Sequence, residues 1–297
     1  MSFISTLSDF ADVFPKVITN EWIQSMPRRA LTEEEQALPY AHYYDKEMAA
    51  VPQALLDIVN AGPIDPKMAL PREYRDMLLR PGYLKAETGY CLMPDGSGFA
   101  ATKVFMPGVT PEMLDWWFNW HPLVGLRYAI WCPVAHKDSS AQNPAGHKDS
   151  SGVPLHTRNY GKVHYPVEGF DLKGAERIEI AFHAPEDLKL DMSQFHAPNI
   201  DSLFAASVSK KIGPVRIPVN VFMHCVRAVE GGVEYRSRYW VGCVVNKNGE
   251  IVQSKLPLPK KLIEQLARNN CAHSLIEYHN LASILPTLYA GQGGKIE

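Results

Sequence analysis

No excess of charge of either sign marks this chain: 30 basic against 32 acidic residues leave a formal charge of −2 over 297 residues. It therefore carries no electrostatic footprint for nucleic acid or an anionic membrane surface, and small or neutral partners are favoured. Long hydrophobic runs are also missing. The longest, at 129–135 and 239–245, reach about seven residues, against the ~18 that a membrane-spanning helix needs. The first residues, MSFISTLSDFADVFPKV, hold Asp9 and Asp12, no early basic residue and no unbroken apolar stretch, so they do not read as a secretion signal. Cysteines are few. Cys91, Cys132, Cys225, Cys243 and Cys271 are odd in number and never form CxxC, which argues against a disulfide framework or a thiolate zinc site and for buried thiols in a reducing, cytoplasmic setting. There is no GxGxxG, P-loop, HExxH or GxSxG, which weakens dinucleotide enzyme, kinase, zincin and α/β-hydrolase readings.

What is present is an ordinary globular composition, 46% hydrophobic and 21% charged, in a chain long enough for one large or two compact domains. Residues 1–80, with Pro15, Pro27 and Pro39, show no long period and read as an arm or small subdomain carrying short helices at 52–60 and 72–79. Residues 81–297 read as the main domain. Strands at 83–93 and 99–106 flank the turn Pro94-Asp95-Gly96-Ser97-Gly98. Thr110 as N-cap, Pro111 in the first turn and Glu112 at the positive dipole end predict a helix over 110–120. From Leu126 the pattern suggests strands, interrupted over 137–160 by a polar loop in which HKDSS occurs twice, too short a repeat to mean repeat architecture. Further strands fit 163–167, 177–183, 215–229 and 233–245, and a long helix from Lys260 to about Leu285 ends at Pro286. Many antiparallel strands and one closing helix predict an α+β fold, the helix covering one face of a curved sheet and enclosing a pocket.

Ionisable residues fall where apolar ones are expected. On the closing helix, Leu262, Ile263, Leu266, Leu281 and Ile284 form one stripe, and His273 and Glu277 lie inside it. A buried carboxylate needs a partner, so the pair would share a cation or a hydrogen bond; a satisfied core pair, or a helix rotated toward water, is the plainer alternative. In the hairpin, a two-residue Gly231-Gly232 loop pairs Glu230 with Val233 and sets His224 opposite Tyr239, both in otherwise apolar strands. A core His–Tyr contact fits that placement equally well. The segment Arg127-Tyr128-Ala129-Ile130-Trp131-Cys132-Pro133-Val134-Ala135-His136 reads as an aromatic strand delivering His136 at the mouth of the polar loop. Among the eleven histidines, His121, His147, His156 and His164 compete with it, and spacing does not choose between them. Val163-His164-Tyr165-Pro166-Val167-Glu168 ends in a carboxylate that alone would be a solvated edge.

Taken in order, the PEMLDWWFNWH helix, RYxxWxPxxH at 127–136, HYPVE at 164–168, the His224–Tyr239 hairpin and HSLIE at 273–277 resemble the 2,4-diacetylphloroglucinol hydrolase family, which includes phloretin hydrolases. The resemblance implies a helix-grip fold similar to Bet v 1, a homodimer, and zinc-dependent hydrolysis of the carbon–carbon bond joining an acyl group to a phloroglucinol ring. It implies zinc ligation by His136, Glu168, His273 and Glu277, and contact of Tyr128, His224 and Tyr239 with the ring oxygens. One departure stands out: where the family has an Asn shortly after the first ligand, this chain reads Lys137-Asp138-Ser139, with Asn143 farther on, and the repeated HKDSS makes His147 a minor rival to His136. Two other readings keep the pocket. Two His and a carboxylate suit a non-haem iron oxygenase, and an aromatic-lined fold of this kind can bind ligands without catalysis.

Overall fold

The structure is a computed structural model that describes residues 14–170, 175–212, 214–256 and 258–297. The acidic start around Asp9 and Asp12 lies outside the described residues. The chain is mixed α+β, with a large antiparallel sheet and a long C-terminal helix. The strands are β1 (Gly89–Leu92), β2 (Gly98–Pro107), β3 (His136–Asp138), β4 (Val163–His164), β5 (Val167–Glu168), β6 (Glu176–His183), β7 (Ser202–Ile212), β8 (Val215–Val229), β9 (Gly232–Val241), β10 (Cys243–Val245) and β11 (Ile251–Gln253). Nine of them form one sheet in the order β1-β2-β9-β8-β7-β6-β5-β3, with β4 on β6, while β10 and β11 make a separate ribbon. The helices are α1 (Asn20–Ser25), α2 (Glu33–Gln36), α3 (Gln53–Asn60), α4 (Pro111–Trp120), α5 (Gly125–Ala129) and α6 (Lys260–Gly291).

Local chemistry explains the elements that were foreseen. Thr110 Oγ1 accepts the Met113 N–H at 3.3 Å and caps α4, whose buried face carries Trp116, Trp117 and Trp120. The β1–β2 turn closes on Asp95, whose Oδ1 accepts the Ser97 N–H at 2.9 Å and hydroxyl at 2.6 Å, with Gly96 at φ 88°. The other end of β2 packs on the β8–β9 hairpin.

Four expectations need correction. Residues 126–136 are not a strand: α5 and a series of turns lead to His136, with the Ile130 N–H on Leu126 O at 3.0 Å and the His136 N–H on Cys132 O at 2.8 Å. Leu126, Ala129 and Ile130 recur at helical spacing, and a short apolar run leaves helix and strand indistinguishable until its neighbours bury it. In the hairpin the two-residue loop is Glu230-Gly231, so Val229 pairs with Gly232, and His224 faces Ser237 while Tyr239 faces Phe222. Gly231 takes φ 79°, and a Cβ on Gly232 would meet Met106 O at 2.2 Å, so the second glycine belongs to the strand that β2 approaches. The helix does not stop at Pro286 but runs on to Gly291, its last turn held by buried Leu288 and by Tyr289 edge-on to Trp116 at 5.3 Å. Strand β7 was not foreseen, and the region 233–245 divides at Gly242 into β9 and β10.

Both faces of the sheet are covered. Along β9, Tyr235, Ser237 and Tyr239 alternate with Arg236, Arg238 and Trp240, the period of two that sends neighbours to opposite faces. Helix α6 lies against β1, β2 and β9 on the first face. On the second face, Arg236 and Arg238, 1% and 0% exposed, share Glu87 through contacts of 2.7 and 2.8 Å. Burial alone would raise the Glu87 carboxyl, but Arg236 and Arg238 outweigh it and bring it down to about 2. The N-terminal segment joins the first face: Tyr43 OH donates to Thr287 Oγ1 at 3.0 Å, and the Ala49 N–H to Asn280 Oδ1 at 3.0 Å. Among the described residues no helix is long and apolar enough to cross a membrane.

Candidate metal centre and adjoining pocket

Helix α6 and the segment leading into β3 are locked together by two hydrogen bonds. Trp131 Nε1 donates to Glu277 O at 3.0 Å, and Asn280 Nδ2 donates to Trp131 O at 2.8 Å. That docking sets His136 against the helical pair. The Nδ1–H of His136 points at the Tyr128 carbonyl, 3.3 Å away, and its ring stacks on the Tyr128 ring at 4.0 Å and 7°. A carbonyl only accepts, so Nδ1 carries the proton and Nε2 keeps its lone pair. This Nε2 lies 3.2 Å from His273 Nε2 and 3.4 Å from Glu277 Oε2, with His273 and Glu277 3.8 Å apart.

With the His273 proton on Nε2 this approach is a hydrogen bond to His136; with it on Nδ1 both Nε2 lone pairs face the same point. Two donors at roughly 2.0–2.1 Å from one tetrahedral ion would lie about 3.3 Å apart, so the spacing fits a shared metal. The ligand atoms of Cys132, His136 and His273 all lie within 4.8 Å of one another, which makes this group able to hold a metal ion. The sequence offered Cys132 only as a buried thiol. Burial pushes that thiol well up, and the Glu277 charge adds to the rise. Burial likewise drives the His136 imidazole well below its usual range and the Glu277 carboxyl well above, the latter helped by the Glu168 charge.

Glu168 stands directly across the β3–β5 pair from His136. In the described structure its Oε1 accepts the Tyr128 hydroxyl. Burial raises the Glu168 carboxyl to about 7, and the Tyr128 hydroxyl partly offsets that. The lone edge carboxylate suggested by the sequence is thus half-buried, tied to Tyr128, and part of the cavity lining.

A cavity of about 390 Å³ opens beside the cluster. Tyr128, Glu168, His224, Tyr239, His273 and Glu277 line it, with His136 fully buried just behind them. His224 and Tyr239, although not directly opposite, share the cavity face with ring centroids 5.5 Å apart. His224 Nδ1 and Ser237 Oγ are 2.8 Å apart, and Tyr278 OH reaches Nε2 at 3.4 Å while accepting from Tyr235 OH at 3.0 Å. Burial holds the His224 imidazole down at about 3, so it is neutral in ordinary buffers. Sequence reasoning missed Tyr235, Ser237 and Tyr278. Period-two spacing from Tyr239 would have found the first two, and adjacency to Glu277 the third.

The polar loop sorts itself. His147 is buried elsewhere, its Nδ1 2.8 Å from Asn119 Oδ1, in a cluster with His164 at 5.1 Å, and it does not join the His136 group. His121 lines the cavity with Nδ1 donating to Trp117 O at 2.8 Å, while His156 and Asn143 are exposed. Lys137 Nζ donates to Val134 O at 2.9 Å, and Asp138 Oδ1 accepts the Ser139 N–H at 2.8 Å. Ser139 lines the cavity, and its buried Oγ has no partner among the described residues.

Residues 70–290 match the profile of the DAPG hydrolase PhiG domain. A phloretin hydrolase of Eubacterium ramulus is 33% identical over 260 residues, covering 87% of this chain and 92% of that protein. A 2,4-diacetylphloroglucinol hydrolase of a Pseudomonas species is 31% identical over 281 residues, covering 89% and 93%. One from Pseudomonas protegens is 30% identical over 281 residues, covering 89% of each. With a match across most of its length to the family profile and to whole relatives, the chain belongs to the DAPG hydrolase family.

Proposed function

We propose that this protein is a zinc-dependent hydrolase of acylphloroglucinols, with His136, Glu168, His273 and Glu277 as metal ligands and Tyr128, His224 and Tyr239 as catalytic residues. The observation that carries the reading is the convergence of His136 Nε2, His273 Nε2 and Glu277 Oε2 within 3.2–3.8 Å at the wall of a cavity that Tyr128, His224 and Tyr239 also line. Nitrogen and carboxylate donors suit Zn²⁺. When bound, zinc would supply Lewis-acid polarisation or activation of water.

The chain's own residues address the harder part of the reaction. An aryl ketone cleaved directly would expel an aryl carbanion, but a ring with hydroxyls ortho and para to the acyl group can ketonise, placing a proton on the carbon that carries it. Water then adds to the acyl carbonyl, the carbon–carbon bond breaks toward the ring, and the products are a carboxylic acid and a phloroglucinol enolate that takes a proton to become the phenol. Tyr128 and Tyr239 hold ring oxygens, and neutral His224 moves the proton, with Ser237 and Tyr278 fixing its ring. Ser139, in the segment Lys137-Asp138-Ser139 that departs from the family's Asn, lines the cavity and offers a hydroxyl to a ring or acyl oxygen.

The long helix across an antiparallel sheet, with a cavity between, supports a helix-grip fold similar to Bet v 1 for residues 81–297, with residues 1–80 as an attached N-terminal region. A homodimer in the cytoplasm belongs to the same proposal, and sedimentation tests the dimer. Mass spectrometry of products formed in ¹⁸O-labelled water from phloretin, monoacetyl- and diacetylphloroglucinol tests the reaction. Label in the released carboxylate together with the deacylated ring supports it. Oxygen consumption with unlabelled acid, or tight binding without product, overturns it.

A further inference from the structure

The cavity has a second polar end, formed by groups that the proposed reaction does not use. Asn220 lies on β8 four residues before His224, and Phe222 sits between them on the same face. On α6, Asn270 lies eight residues before Tyr278. The two elements are tied at both places: Asn220 Nδ2 donates to Asn270 Oδ1 at 3.3 Å, and Tyr278 OH meets His224 Nε2 at 3.4 Å. Four strand residues span about 13 Å and eight helical residues about 12 Å, so the pairs mark two ends of one compartment. Ile178, Val208, Ile217 and Leu266 contribute apolar wall to it.

The direction of the amide chain is fixed. Asn270 Nδ2 donates to the Leu266 carbonyl at 2.9 Å, and a carbonyl can only accept. Asn270 therefore presents Oδ1 to Asn220, Asn220 answers with Nδ2, and Asn220 Oδ1 is left over. Asn220 is 4% exposed, it lines the cavity, and this oxygen has no partner among the described residues. A buried acceptor without a donor is costly unless something supplies one.

We infer that Asn220 is a specificity-determining residue that accepts a hydrogen bond from a hydroxyl at the far end of the substrate's acyl substituent. The inference rests on the acylphloroglucinol reading and narrows it: the preferred acyl group is a long one ending in a phenol or alcohol, not acetyl. A three-carbon chain in extended form followed by an aryl ring reaches roughly from the His224 end to the Asn220 end. A cavity of about 390 Å³ is in the range that encloses a ligand of that size.

The test compares phloretin, its analogue lacking the hydroxyl on the propanoyl-side ring, and monoacetylphloroglucinol. Wild type should favour phloretin over the deoxy analogue by about tenfold in kcat/KM, the size of one net hydrogen bond. Asn220→Leu should erase that ratio while leaving monoacetylphloroglucinol within about twofold. Asn220→Val reads the same ratio if the leucine variant does not fold. Equal treatment of the two long substrates by wild type, a ratio that survives Asn220→Leu, or equal loss on all three substrates would overturn the assignment. If wild type hydrolyses none of them, the function proposal fails on its own, and dissociation constants for phloretin and the deoxy analogue, measured by calorimetry on wild type and Asn220→Leu, still decide this one by the same ratio.

Discussion

Tyr128 orients two members of the cluster at once: its hydroxyl donates to Glu168, and its backbone carbonyl takes the Nδ1–H of His136. The two tasks use different atoms of one residue, so they can be separated. Tyr128→Phe removes the hydroxyl and leaves the carbonyl and the ring stack in place. Turnover of an acylphloroglucinol should fall by about 100-fold or more, the usual yield of a positioned proton donor, while metal content holds at the wild-type level. Elemental analysis beside steady-state rates checks this, and loss of metal in that variant would make the hydroxyl a support of Glu168 instead.

The position of Cys132 beside His136 and His273 leads to a second experiment. Cys132 Sγ lies within 4.8 Å of both imidazoles, but the proposed centre uses the Glu277 carboxylate, 3.4 Å from His136 Nε2 and 3.8 Å from His273 Nε2, in place of the thiol. Cys132→Ala should therefore keep one zinc per chain. Glu277→Ala should lose it, and chelation of wild type should lower Tm, because bound metal adds its binding free energy to folding. Metal lost from Cys132→Ala and retained in Glu277→Ala would reverse the ligand assignment.

How much of this was legible in the sequence follows from the range of the interactions involved. Thr110-Pro111, the Asp95-Gly96 turn and the apolar stripe of α6 are local signals, and each element formed there, although α6 runs past Pro286 to Gly291. The strand expected at 126–136 failed because its partners, α4 and α6, come from elsewhere in the chain, and helix or strand was decided by burial against them. The hairpin register failed by one step at Glu230-Gly231, where the deciding contact is a third strand's carbonyl at Met106. His273 and Glu277 stood out because ionisable groups on an apolar face are costly. Glu168 did not, since nothing near it in sequence says that Tyr128 and His136 close over it.

Acid should destabilise the fold early. Burial lowers His121 and His147 to about 3 from the ordinary 6.5, so below pH 6.5 the unfolded chain takes up protons that the folded chain refuses. Their contribution is complete above 6.5 and is lost as pH falls toward 3, at about 1.4 kcal/mol per pH unit for each. Urea unfolding between pH 7.5 and 5 should show a steady fall, and replacing His147 with Gln should reduce its slope.

Glu87 acts in a lower window. Its carboxyl, at about 2 between Arg236 and Arg238, contributes fully above the ordinary value of 4.5, and the contribution is lost as pH drops from there through 2. Glu87→Gln at pH 7 leaves two buried guanidinium groups without their counter-charge and should cost about 3 kcal/mol in denaturant unfolding. Because the pair lies on the sheet face away from the cavity, KM should stay unchanged where the variant is folded.

His224 is the sharpest test of the chemistry. Its ring is held between Ser237 and Tyr278, on the opposite strand and on the long helix, and among the described residues no hydrogen bond ties it to His136 or His273. His224→Ala should abolish turnover with zinc still present at one per chain, since the metal cluster closes without it. Tyr278→Phe should act more gently, about tenfold on kcat with KM little changed, because Ser237 alone still orients the imidazole. An equal loss from both variants would assign the essential proton to the Tyr235–Tyr278 hydroxyl chain, and loss of zinc from His224→Ala would make the histidine a support of the metal centre.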